Sequence, residues 1–124
     1  MTTAHKFSGI QELESLLEET CEQARESLAF SESVSNPDTK AIFAGASEDF
    51  TEQASILERF MQHTHSPEDL ERLWHLLMDL RGNARVYSRS DNPDPKIRAE
   101  MNSISERWMK QANALDQAMK ESKS

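Results

Sequence analysis

All four prolines of this chain fall at three points, Pro37, Pro67 and the pair Pro93 and Pro95, and each point has the same local grammar. A residue able to cap a helix precedes the proline and an acid follows it: Asn36-Pro37-Asp38, Ser66-Pro67-Glu68-Asp69 and Asn92-Pro93-Asp94-Pro95. Asn and Ser side chains accept the free N–H groups of a first helical turn. Proline fits the first helical position, where no N–H is needed, and an acid suits the positive end of the helix dipole. Three such starts divide the 124 residues into four segments. Abundant Leu, Ala, Glu, Gln, Met and Arg favour helix in them, and the scarcity of Val, Ile and Thr runs argues against sheet.

The expected helices are roughly 8–31, 37–62, 67–87 and 95–121. Ser8 with Gln11 three residues on has the form of a capping box, with Phe7 ahead as a staple. Ile10, Leu13, Leu17, Cys21, Ala24 and Leu28 then draw one apolar stripe at spacings of three and four. The second stripe is Phe43, Ala46, Phe50, Ala54, Leu57 and Phe60 or Met61. Gly45 interrupts it at a cost of about 1 kcal/mol, which a close helix approach would explain. Leu70, Leu73, Leu77, Leu80, Ala84 and Tyr87 form the third stripe. Trp74 and Leu76 widen it, which makes this helix the expected most buried of the four. Ile97, Met101, Ile104, Trp108, Ala112, Leu115 and Met119 form the fourth, with fraying expected over residues 121–124.

Connectors of about four to eight residues make neighbouring helices antiparallel. The expectation is a single domain, all-α, an antiparallel up-down-up-down four-helix bundle with enough chain to bury a core. Asn-Pro-Asp recurs at 36–38 and 92–94, each followed two residues later by Lys, Lys40 and Lys96. A duplicated hairpin and a shared helix-start chemistry both account for this.

Charge is unevenly distributed. Residues 1–69 carry 14 acids against four bases, a balance of −10, whereas residues 70–124 carry eight acids against ten bases, a balance of +2. An acidic half repels phosphate backbones, so nucleic acid is not an expected partner. No window approaches the roughly 20 apolar residues of a membrane span, and the first ten residues lack the apolar run of a signal peptide. The single cysteine, Cys21, excludes an intramolecular disulfide and fits a cytoplasmic setting. Its place on the first stripe makes it a small packing residue rather than a nucleophile.

Few chemistries remain. There is no Gly-x-Ser-x-Gly, no phosphate-cradling glycine loop and no Cys paired with His. Diiron bundles use Glu-x-x-His on two helices, and no Glu-x-x-His occurs here. His63 and His65 lie in a connector. His75 has Glu71 and Asp79 at i−4 and i+4, so a cation held on one helical face stands against plainly exposed histidines. An enzyme is not expected, nor a cofactor.

The remaining signal is Leu77-Met78-Asp79-Leu80-Arg81-Gly82-Asn83-Ala84, which resembles the His-x-Leu-Lys-Gly-x-Ala motif of histidine phosphotransfer (Hpt) domains. Leu80, Arg81, Gly82 and Ala84 match, with Arg for Lys. A helical side chain leans toward the N-terminus, so a glycine at i+4 leaves position i uncovered, and the base at i+3 can hold a phosphoryl oxygen. Position 78 is Met78 rather than histidine, and a thioether cannot carry a phosphoryl group. The resemblance, over residues 43–88, therefore implies a docking surface without phosphotransfer, facing a receiver or kinase module. Alternatively, Gly82 permits tight packing or bends the helix, and Arg81, Arg85 and Arg89 form a solvated stripe. The expected function is a non-catalytic protein-interaction module, monomeric or homodimeric, binding another protein through Met78, Arg81, Gly82 and Arg85 with His75 at the edge. A small acidic chaperone of an exported protein and a ferritin-like metal-carboxylate bundle are the alternatives.

Overall fold

The computed structural model describes residues 7–122. It is an all-α, up-down-up-down four-helix bundle built from α1 (Ile10–Ser33), α2 (Pro37–Met61), α3 (Pro67–Ser88) and α4 (Pro95–Ser122). The stretch read above for a leader begins outside the described residues, as do Lys123 and Ser124 at the other end. No described helix is long and apolar enough to cross a membrane. The chain forms two compact units, one of Glu14–Leu73 and one of Trp74–Ser124 together with the residues up to Leu13.

In the Glu14–Leu73 unit, α1 and α2 form an antiparallel hairpin around the Asn36 cap, whose side chain accepts from the N–H groups of Asp38 and Thr39. The buried face of α1 there is Leu16, Thr20, Ala24 and Ser31. The expected stripe through Leu17, Cys21 and Leu28 is thus rotated: Leu17 and Cys21 are half-buried and Leu28 is exposed. Hydroxyls make the rotation possible. Thr20 Oγ1 donates to the Leu16 carbonyl (2.7 Å) and Ser31 Oγ to the Lys40 carbonyl (2.8 Å), so both side chains bury without an unpaired donor. From α2, Ser47 Oγ reaches the Ala24 carbonyl at 2.8 Å. Ala54, Ile56, Leu57 and Phe60 complete the α2 contribution.

The turn from α2 into α3 is closed by its own polar groups. Thr64 N–H donates to the Arg59 carbonyl (2.8 Å) and His63 N–H to the Phe60 carbonyl (3.1 Å), the paired bonds of a Schellman ending. His63 takes the left-handed position, φ 60°, where glycine is the usual occupant. Two residues on, Ser66 and Asp69 form a reciprocal capping box. Ser66 Oγ accepts from the Asp69 N–H, and Asp69 Oδ2 accepts from the Ser66 N–H, both at 3.1 Å. The same carboxylate receives Nε and Nη2 of Arg59 at 2.8 and 2.9 Å. Hydrogen bonding to Arg59 holds the Asp69 carboxyl down to about 2, against burial that pushes it up. An ion pair between Arg72 and Glu52 also joins α3 to α2.

In the other unit, α3 and α4 run antiparallel. Leu77, Leu80 and Ala84 of α3 and Ala112, Leu115, Ala118 and Met119 of α4 are buried, as are Leu13 and Phe7. Ser105 Oγ donates to the Ala84 carbonyl (2.6 Å), the counterpart of Ser47 on Ala24, and Tyr87 packs on Trp108 with ring centroids 4.7 Å apart. Trp74 does not widen the buried stripe but is exposed. Glu121 and Ser122, where fraying was expected, are part of α4.

One capping and one glycine expectation are corrected. Ser8 does not cap α1: its hydroxyl donates to Glu121 Oε1 at 2.7 Å, and the helix starts at Ile10 with the Leu13 N–H on the Gly9 carbonyl. A Cβ on Gly9 would lie 2.7 Å from the Cβ and 3.2 Å from the Cα of Ala114, so the close approach belongs to Gly9. A Cβ on Gly45, where that approach was expected, would meet nothing within 4 Å.

The repeated Asn-Pro-Asp also does two different jobs. Asn36 caps α2 directly. The Asn92 side chain accepts from the Asp94 N–H, and Asp94 then accepts from the Lys96 N–H at the start of α4, while the Asn92 carbonyl accepts from Arg98 Nη1 at 2.7 Å.

Candidate functional site

The second half of α3 turns two unlike faces outward and inward. Leu77, Leu80 and Ala84 point inward at spacings of three and four. On the opposite side, Trp74, Met78, Gly82 and Val86 follow one another at i, i+4, i+8 and i+12, forming a single ridge. Trp74 is 48% exposed, Met78 52% and Val86 67%. Charged residues and His75 flank the ridge: Glu71, Asp79, Arg85 and Arg89, all exposed.

The five residues singled out in the sequence sit here, in different roles. Met78 and His75 are exposed, as is Arg85 at the rim. A Cβ added at Gly82 would meet nothing within 4 Å, so this glycine does not serve tight packing inside the unit. It leaves an open notch one turn beyond Met78, and Met78 is uncovered accordingly. Arg81 is the exception. Its Nη2 donates to Asp116 Oδ2 of α4 at 3.1 Å, and Lys120 approaches the same oxygen at 3.4 Å. Burial pushes the Asp116 carboxyl up, but Arg81 and Lys120 outweigh it and hold the group below the usual carboxylate value. Arg81 thus ties α3 to α4, whereas Arg85 makes no ion pair with the described residues. The Asp116 contact lies 35 residues away, and no local spacing announces it.

Beside the ridge, Arg81, Ala84, Arg85, Ser88, Ser105 and Met109 line an open groove of about 270 Å³. That lies below the roughly 300–1,000 Å³ of pockets that enclose small ligands. The histidines are dispersed. His63 ends α2, the His65 ring packs on Phe60 with centroids 5.0 Å apart, and His75 is on the outer face of α3. Among the described residues, no three His, Cys, Asp or Glu side chains gather closely enough to hold a metal ion. Cys21 is half-buried. Trp74 was missed as a surface residue because a helical stripe read by hydropathy absorbs a large apolar residue near its edge, and Val86 was given no place at all. The i+4 series through Gly82 was the available signal.

Comparison with protein-family models, with curated proteins and with solved structures found no match to this chain.

Proposed function

We propose that this chain is a non-catalytic protein-interaction module, an adaptor or regulator, that docks through the outer face of α3. The observation that carries the reading is the ridge itself: Trp74 and Met78 stand half-exposed on consecutive turns of one helix, with Val86 two turns further on. Scattered apolar residues on a surface need no explanation, but aligned large ones beside a basic residue have the composition of a binding hot spot. In the Hpt-like version the partner is a receiver or kinase module. Met78 uncovered above Gly82 supports that version, with Arg85 replacing the engaged Arg81 as an exposed cation. Met78 accepts no phosphoryl group, so the role is docking alone.

The test is capture of partners from native lysate by the wild-type chain and by a Met78→Glu, Arg85→Glu variant. Loss of specific capture with unchanged helicity supports the reading, and equal capture removes it. Arg81 is left intact because its reversal would disturb the Asp116 contact and confuse docking with folding.

A second reading, the acidic chaperone, rests on the other unit. Residues 14–73 hold 14 acids and four bases, and Leu28, Phe30 and Ile42 are exposed on the α1 and α2 helices. Replacing Glu18, Glu22 and Glu26 with Lys abolishes binding under that reading and leaves docking through α3 unchanged.

A further inference from the structure

We infer that the occupant of the α3 ridge is a second copy of this chain, lying antiparallel to the first across a two-fold axis. The inference rests on the docking reading above and gives its partner. The ridge is complementary to itself. Met78 is a flexible knob, and one turn along, Gly82 carries no side chain and an added Cβ would stand in open space, so the helix backbone there is uncovered. When α3 is laid antiparallel on its own copy with its midpoint between these two, each Met78 enters the gap above the partner's Gly82, twice over by symmetry. The same register sets Trp74 against the partner's Val86, so the two other exposed apolar residues cover each other.

Charge follows the same register. The outer face of α3 is acidic toward its start, with Glu71, carries Asp79 near its middle, and is basic toward its end, with Arg85 on the helix and Arg89 in the turn that follows it. Antiparallel pairing brings Glu71 opposite the partner's Arg89, whereas parallel pairing stacks like on like. Among the described residues, none of these four charged side chains is engaged in an ion pair within its own chain, so each is available for one. A two-fold interface presents the same patch from both subunits and must be self-complementary. In this face shape and charge meet that condition in one register. The partner is therefore a second copy rather than a protein of unrelated surface.

Sedimentation equilibrium of the full chain over a concentration series tests this. The wild type forms a dimer with a dissociation constant on the order of 10 µM. Met78→Glu, which puts a charge where the knob enters, raises that constant at least ~10-fold. Arg89→Glu alone raises it about 3-fold or more at low salt, and adding Glu71→Arg in the same chain brings it back, because the swapped pair again faces opposite signs. All these positions are exposed, and circular dichroism checks that each variant keeps its helices. A wild type that stays monomeric to about 1 mM overturns the inference, and so does a dimer indifferent to Met78→Glu or one that the double swap fails to restore. In those cases the docking reading still stands or falls separately on lysate capture, where the Met78→Glu, Arg85→Glu variant is compared with wild type for proteins other than the chain itself.

Discussion

The two ends of α3 treat their polar and apolar groups in opposite ways. At its first turn the Ser66 hydroxyl and N–H, the Asp69 carboxylate and the Arg59 guanidinium bond to one another in one network. From Trp74 to Arg89 the outer face leaves both kinds of group unused, with apolar side chains in water and charges without ion pairs. A turn whose groups bond to one another fixes a chain direction and has little to offer a partner. A face with unused groups contributes little to folding and retains its capacity to bind. Stability and function are therefore separable along one helix, and substitutions at its two ends should have different consequences.

The largest effect is expected at the closed end. Asp69→Ala removes the capping box together with both Arg59 bonds and should lower unfolding stability by about 2–3 kcal/mol; Arg59, partly exposed, recovers some hydration and keeps the loss from being greater. Met78→Glu at the open end should change it by less than about 0.5 kcal/mol. Acid sharpens the contrast. The Asp69 carboxyl titrates near 2 in the folded chain and near the ordinary value, about 3.9, when unfolded. A depressed folded value means that this contribution is complete above about pH 4 and is lost as pH falls toward 2. Urea midpoints measured from pH 5 down to 2 should fall more steeply for the wild type than for Asp69→Asn. Parallel curves would mean that the network does not hold this corner.

How much of this was legible depended on whether a feature was local. Asn36, Ser66 and the prolines marked helix starts because a cap bonds within three residues of itself, and those starts agree with the structure. Long-range pairings had no such signature: neither Arg59 with Asp69 nor Arg81 with Asp116 follows from spacing. The α1 stripe was misplaced for a chemical reason, since Thr20 and Ser31 count as polar until their hydroxyls are seen on nearby carbonyls. The site was legible in part. Met78 and Gly82 stood out through the i+4 relation, whereas Arg81 was given a binding role although it bonds within its own unit.

His63 shows that the closed end still holds strain. A side chain at φ 60° costs energy that glycine does not pay, and the Schellman bonds use only backbone groups. His63→Gly should therefore stabilise the chain by about 0.5–1 kcal/mol without altering association through α3. Thermal unfolding and sedimentation together check both halves of that expectation. A loss of stability would show that the His63 side chain contributes more than its backbone conformation costs.

The last effect is the most discriminating, because two properties should move in opposite directions. Gly82 lies within a helix, where glycine costs up to about 1 kcal/mol relative to alanine, and an added Cβ meets nothing. In the isolated subunit Gly82→Ala should thus raise stability by about 0.5–1 kcal/mol. In the proposed dimer the same methyl partly fills the hole that Met78 of the partner subunit enters, so association should weaken about 3-fold or more. Gly45→Ala is the control: it is also a helical glycine whose added methyl meets nothing, but it lies on α2 and should stabilise without touching association. If Gly82→Ala stabilises the fold and leaves the dimer unchanged, glycine at position 82 has no part in pairing. If it weakens the dimer while Gly45→Ala does not, the open notch is the feature that Met78 of the second copy uses.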